Sequence, residues 1–262
     1  MPFTSTRYIL ILLTAVTSLT CVPPSNAEEY ELVIRNGRVM NPANGLDSVR
    51  DIGIRGGQIA ELSREPLSGT QEVDAAGLMV APGFIDLHAH GQRGFEAWLQ
   101  AQDGVTTQLE MEVGVYPVAD WYALRAGSAP INYGATVGHI PVRIATMVQL
   151  ESIGLSENDL AVGLLNNPHF DAIAAQPSWA QDPASEDQVA AMQRRLQQGL
   201  DEGALGMGFG INYTAGATRE EIYRMFLLAR ANGVTAFVHS RCMAEGERGG
   251  SVDAVPDLLS NA

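Results

Sequence analysis

The chain has 262 residues, 46% of them hydrophobic and 18% charged, which suits a globular protein with a substantial core and excludes a disordered or fibrous one. Its formal net charge of −14 disfavours nucleic acid and anionic membranes as partners. All 16 Lys+Arg positions are arginine, so chemistry that needs a lysine, such as a carboxylated-lysine bridge between two metal ions, is excluded.

Residues 1–27 read as an export signal. Arg7 supplies the positive start, Tyr8 to Val16 the apolar stretch, and Ser25-Asn26-Ala27 a small-X-small cleavage site before Glu28. The run is too short to span a bilayer, and no later stretch reads as a membrane span. Cys21 admits a lipoprotein reading, but Ser18 and Thr20 are poor neighbours for lipidation. The expected location is therefore periplasmic or secreted. Cleavage after Ala27 removes Arg7, takes the net charge to −14 − 1 = −15, and leaves Cys242 as a single thiol with no internal disulfide.

Tyr30 to Ile34 and Ile52 to Ile54 read as short strands, with Asn36-Gly37 and Gly56-Gly57 as turn signals and Glu72 to Val80 continuing the pattern. A first, all-β domain over residues 28–82 follows. After Pro82-Gly83 the text changes. Phe84 to Leu87 is strand-like and runs into His88-Ala89-His90, with Gly91 beyond. A strand alternates its side chains with period two, so His88 and His90 share one face near an open end. Two imidazoles so placed can bind one divalent ion.

Val105 to Val113 is the next strand, interrupted by Glu110 and Glu112, which period two puts on one face. Ala135 to His139 is another. Ser185 with Gln188 makes a capping box, and Val189, Met192, Leu196 and Leu200 form a helical stripe that stops at Gly203. Leu205 to Phe209 reads as a buried strand. Thr218 with Glu221 caps a second helix, striped by Ile222, Met225, Phe226 and Ala229 and closed by Gly233; Val234 to His239 is the strand after it. This rhythm of strand and helix argues for an α/β fold with a parallel sheet.

The His-X-His strand resembles the first barrel strand of the amidohydrolase superfamily. Further segments resemble its N-acyl-D-amino-acid deacylase (D-aminoacylase) branch: Gly104-Val105-Thr106-Thr107, Val137-Gly138-His139 with Arg143, Gly203-Ala204-Leu205-Gly206, Gly210-Ile211-Asn212-Tyr213-Thr214-Ala215-Gly216, and Phe237-Val238-His239-Ser240-Arg241. The resemblance spans about residues 30 to 250. It implies part of a small β-sandwich domain over 28–82, followed over 83–262 by the N-terminal part of a distorted (β/α)8 barrel. The implied chemistry is metal-dependent hydrolysis of an amide or related C–N bond in a small-molecule N-acyl amino acid or similar amide. The implied cofactor is a divalent metal, zinc by the likeness, as one ion or two.

On this resemblance His88, His90 and His239 are metal ligands; Glu112, nearer its strand end than Glu110, is expected as a carboxylate ligand, and the alternative for both glutamates is a solvated edge or a salt bridge to an arginine. A family cysteine near this point aligns with Val113, a departure that bears on the number of ions; a bridge between two ions would have to come from a carboxylate or a thiolate. Tyr213 lies where the substrate pocket is expected, or packs. Arg241 clamps a substrate carboxylate, or pairs with Glu245. His139 lines the pocket, or orders a ligand through a hydrogen bond. His169 and Cys242 read as a loop residue and a structural thiol.

Residues 83–262 number 180 (262 − 82), whereas eight βα units of ~30 residues need about 240. In the family the proton-shuttling aspartate and a sixth-strand histidine lie further on. The expectation is an N-terminal portion of a longer enzyme, with no catalytic acid in this chain and no useful activity alone. The alternatives are a non-catalytic periplasmic metal-binding or interaction protein, and an amidohydrolase of dihydroorotase-like or dipeptidase-like specificity.

Overall fold

The computed structural model describes residues 30–90 and 93–241; the signal-like segment, Cys242 and Glu245 lie outside them. The chain divides between Pro82 and Gly83 into two units. In the first, strands β1 (Tyr30–Asn41), β2 (Leu46–Arg55), β3 (Gln58–Ser63), β4 (Gly69–Asp74) and β5 (Met79–Val80) form one sheet in the order β3-β2-β1-β4, with β5 also on β1. Gly56-Gly57 closes a two-residue hairpin in which Arg55 pairs with Gln58. Asn36-Gly37, expected as a turn, instead lies inside β1. Asn36 has φ +60 and the β1–β2 register slips between Ile34 and Gly37, a bulge whose Asn36 N–H donates to the buried Asp51 Oδ1 at 2.8 Å.

The second unit begins with β6 (Phe84–Asp86), α1 (Gly94–Gln102), β7 (Val105–Val115), α2 (Val118–Ala123), β8 (Asn132–Gly138) and α3 (His139–Met147). After an irregular stretch carrying α4 (Phe170–Ala174) and α5 (Ser178–Gln181) come α6 (Glu186–Asp201), β9 (Met207–Gly210), α7 (Arg219–Asn232) and β10 (Ala236–His239). The five strands are all parallel and sequential, β6-β7-β8-β9-β10, a curled half-barrel sheet with the strand order of a (β/α)8 barrel.

Local chemistry explains the helices. Ser185 Oγ accepts the N–H of Gln188 while Gln188 Oε1 accepts that of Ser185, which starts α6; Thr218 Oγ1 accepts the N–H of Glu221 and starts α7. Gly233, at φ +66, ends it. Val189, Met192 and Leu196 of α6 and Ile222, Met225 and Ala229 of α7 bury their stripe against Ala135, Val137, Met207 and Phe209 on the strands. The strands differ from expectation at their ends: β7 runs on to Val115, and His139 opens α3 instead of closing β8. Residues 148–182 fold over α3, where Leu150, Leu155, Leu160, Leu164, Ile173 and Trp179 join Val113, Ile140 and Ile144 in a second apolar cluster. No helix among the described residues is long and apolar enough to cross a membrane.

Candidate metal centre

The strand leading to the two histidines is shorter than its sequence suggests. After Asp86 the chain bends, because the Asp86 carboxylate accepts the N–H of His88 at 2.9 Å, a local turn typical of aspartate. The segment stays tied to β7 by the Ala89 N–H donating to the Leu109 carbonyl at 3.0 Å. Asn166 Nδ2 donates to the carbonyl of His90 at 2.9 Å. The two rings stand edge to face with centroids 4.6 Å apart.

On β7 Glu110 and Glu112 both meet the ring of His90, as residues on one face would, but the strand is irregular beyond Glu110. Pairing with β8 jumps from Glu110–Ala135 to Val115–Val137, so β7 carries extra residues between those pairs, and Gly114 turns through φ +66. A Cβ on Gly114 would lie 2.5 Å from the Cα of Gly138, so only glycine fits. The bulge sends the two glutamates to different nitrogens of one ring. Glu110 Oε2 lies 2.9 Å from Nδ1 of His90, and Glu112 Oε2 lies 3.3 Å from its Nε2. Glu112 Oε2 is also 3.3 Å from His88 Nε2, and Glu112 Oε1 is 3.3 Å from His239 Nδ1, at the end of β10.

Nitrogens of three imidazoles thus stand around one carboxylate that is only 11% exposed. Its Oε1 is buried with no hydrogen-bond partner, an expensive state for a carboxylate oxygen unless something else satisfies it. The spacing fits a cation. Two ligand atoms bonded at ~2.0–2.1 Å to a tetrahedral ion lie about 3.3–3.4 Å apart by the tetrahedral angle. One donor atom each from His88, His90 and Glu112 lie within 4.8 Å of one another, and imidazole with carboxylate is a donor set suited to zinc or a similar divalent ion. Leu87, Met111 and Phe237 line, with His88, Glu112 and His239, a cavity of about 380 Å³.

Other expected site residues fall around this group or away from it. The Tyr213 ring lies 4.9 Å from that of His239 and is half exposed, at the edge of the site. Arg241 Nη2 and Nε donate to the carbonyls of Ala217 and Ile211, so its guanidinium braces the loop that carries Tyr213. His139 does not join the group. It is fully buried, and its Nε2 donates to Glu221 Oε1 at 2.8 Å. Glu221 in turn accepts from Arg143, which also donates to the carbonyls of Trp179 and Asp182. Burial depresses the His139 pKa against the pull of Glu221, so the ring is neutral. Opening α3 instead of closing β8 turns this histidine inward.

The family profile for amidohydrolases matches residues 71–254, most of the chain. The chain belongs to the amidohydrolase family. This amidohydrolase is 27% identical over 256 residues to the D-aminoacylase of Alcaligenes xylosoxydans xylosoxydans, covering 85% of this chain and 46% of that enzyme. To the N-acyl-D-glutamate deacylase of the same organism it is 29% identical over 265 residues, 88% and 46% of the two chains. It spans about half the length of the curated relatives it matches. It also superposes, at TM-score 0.66 and 23% identity, on the N-acyl-D-glutamate deacylase of Bordetella bronchiseptica, solved with zinc and a phosphonate mimic of the tetrahedral intermediate. That match covers 89% of this chain and 49% of the other, and shows a shared fold.

Proposed function

We propose that these residues form the metal-holding part of an active site that hydrolyses the amide bond of an N-acyl-D-amino acid or a similar small amide. One observation carries the reading: the buried Glu112 offers Oε2 to His88 and His90 and Oε1 to His239. That arrangement suits a carboxylate shared between two ion positions, and it takes the place that a lysine-free chain cannot fill with a carboxylated lysine. The named activities of the relatives, D-aminoacylase and N-acyl-D-glutamate deacylase, supply the substrate class.

Zinc is the ion we propose, held by His88, His90, His239 and Glu112. A divalent ion there supplies polarisation of the scissile carbonyl and activation of the attacking water. The protein's own groups do the rest of the work on this side. The Glu112 carboxylate offsets positive charge, while Leu87, Met111 and Phe237 supply an apolar lining beside it. The Tyr213 ring stands beside His239, at the edge of the pocket we assign to substrate. Arg241 acts by holding that loop rather than by touching substrate. No described residue is assigned the proton transfer to the leaving amine.

The protein is proposed to act outside the cytoplasm, on the leader-like sequence of residues 1–27; amino-terminal sequencing should find Glu28 first. A lipid-modified start at Cys21 would replace this with an anchored location.

The function is tested by loading the protein with zinc and following amino acid released from a panel of N-acyl-D-amino acids and dipeptides, and ring opening of dihydroorotate. Metal content of the His88→Ala/His90→Ala double variant is measured by elemental analysis alongside. The expected result is zinc bound by the unaltered protein and lost in the variant, with no useful turnover from these 262 residues alone. Unchanged metal content in the variant would overturn the site, and release of product from dihydroorotate or dipeptides but from no N-acyl-D-amino acid would overturn the substrate class.

A further inference from the structure

Glu110 is not among the groups that face His88 or His239, yet it is one of the few buried acids of the second unit, with a side chain 9% exposed. Both its oxygens lie within reach of a single atom: Oε2 is 2.9 Å and Oε1 3.1 Å from Nδ1 of His90. Among the described residues no other side chain contacts that carboxylate at hydrogen-bonding distance. Both ring nitrogens face a carboxylate, Nδ1 that of Glu110 at 2.9 Å and Nε2 that of Glu112 at 3.3 Å. A carboxylate only accepts hydrogen bonds, so with an ion between Nε2 and Glu112 the ring keeps its proton on Nδ1, where Glu110 accepts it. The backbone is held as well, by Asn166 on the His90 carbonyl.

We infer that Glu110 is a positioning residue: it fixes the tautomer and ring angle of His90 so that Nε2 is presented as a ligand. The inference deepens the metal reading above and rests on it. Two features distinguish it from an incidental ion pair. The bulge after Glu110 separates its carboxylate from that of Glu112, so that the ring is gripped from opposite edges by acids two residues apart. His88, more exposed at 64% of its side chain, meets Glu112 at Nε2, and among the described residues no carboxylate contact is made at its Nδ1. The two histidines of the pair are therefore unequal, with His90 the preset ligand and His88 the adjustable one. Outer partners of this kind typically contribute ~10–100-fold to metal affinity.

The test compares the unaltered protein with Glu110→Gln, which keeps the shape and an acceptor, and Glu110→Leu, which keeps neither charge nor hydrogen bond. Zinc affinity is measured by competition with a chelator, zinc stoichiometry by elemental analysis, and the His90 tautomer by ¹⁵N shifts of the ring in metal-free and zinc-loaded protein. The zinc-loaded spectrum should show His90 bound through Nε2 with its proton on Nδ1 in the unaltered protein, and a less uniform ring signal in Glu110→Leu. Affinity should fall ~10–100-fold in Glu110→Leu and less in Glu110→Gln, with stoichiometry unchanged. Unaltered affinity in both variants, or zinc bound through Nδ1 of His90 in the unaltered protein, would overturn the inference. A loss of one whole zinc equivalent in Glu110→Gln would overturn it too, because Glu110 would then be a ligand. Failure of the metal reading looks different: the unaltered protein would take up no zinc in any arm, whatever the tautomer.

Discussion

Nδ1 of His239 lies 3.3 Å from Oε1 of Glu112, the oxygen that neither His88 nor His90 faces. Residues from β10 and from the start of the sheet thus meet on opposite sides of one side chain from β7. A sequential parallel sheet brings its strand ends together only if it curls, so this contact ties the site to the half-barrel shape.

Glu112→Gln removes the charge and keeps the shape. Zinc affinity should fall by more than the ~10–100-fold expected for an outer partner such as Glu110, and binding beside His239 should go with it. A chelator competition that finds Glu112→Gln less damaging than Glu110→Leu would exchange their roles.

Val113 occupies the position that aligns with a cysteine of the resembled deacylases. Its side chain packs in the apolar cluster with Ile140 and Ile144 instead of facing the histidines. Val113→Cys should therefore add no metal and cost under ~1.5 kcal/mol in a urea melt, as volume-conserving core changes do. A gain of one zinc equivalent would show that the sulfur reaches the site.

Gly114 sits two residues after Glu112 with φ +66 and with the Gly138 backbone 2.5 Å from where a Cβ would stand. Gly114→Ala should lose ~1–3 kcal/mol from backbone conformation alone, more from the clash, and should weaken zinc binding by moving Glu112. A variant with unchanged melting and unchanged affinity would mean that the bulge does not position the site.

The buried His139–Glu221–Arg143 cluster sets an acid limit on stability. Burial, outweighing Glu221, lowers the His139 pKa from its ordinary 6.5. For Glu221 burial acts upward, but the bonds from His139 and Arg143 win and hold it below its ordinary 4.5. Both groups take up protons more readily in the unfolded chain, so stability falls as pH drops, below about 6.5 through His139 and below about 4.5 through Glu221. Melting temperatures between pH 7.5 and 4 should decline, and His139→Gln should flatten the part between pH 6.5 and 5 while lowering the whole curve. Glu221→Gln, which leaves Arg143 buried without its charge partner, should cost ~3–5 kcal/mol at neutral pH. A His139→Gln profile parallel to the original would remove His139 from this role.

Much of the fold, and the histidine pair of the site, is legible in the sequence. The capping pairs Ser185–Gln188 and Thr218–Glu221 start α6 and α7 where expected, because caps and stripes are local chemistry. His88 and His90 come together for the same reason, being neighbours in the chain. Glu110 and Glu112 are not separable by pattern, since period two treats them as equivalent until a bulge breaks the period. Asn36-Gly37 misleads in the same way, as a bulge can carry the left-handed residue that a turn also uses. The role of His139 is not legible because its partner, Glu221, lies far along the chain on α7, and no local pattern announces that contact. Nor does any spacing pair Asn166 with His90.

The most direct measurement is diffraction from zinc-loaded crystals, with data collected on both sides of the zinc absorption edge. The expected result is an anomalous peak ~2.0–2.2 Å from His88 Nε2, His90 Nε2 and Glu112 Oε2. A second ion, if bound, should appear between Glu112 Oε1 and His239. No peak at Glu112, or a peak held by other residues such as His169, would contradict the metal centre and the hydrolytic function built on it.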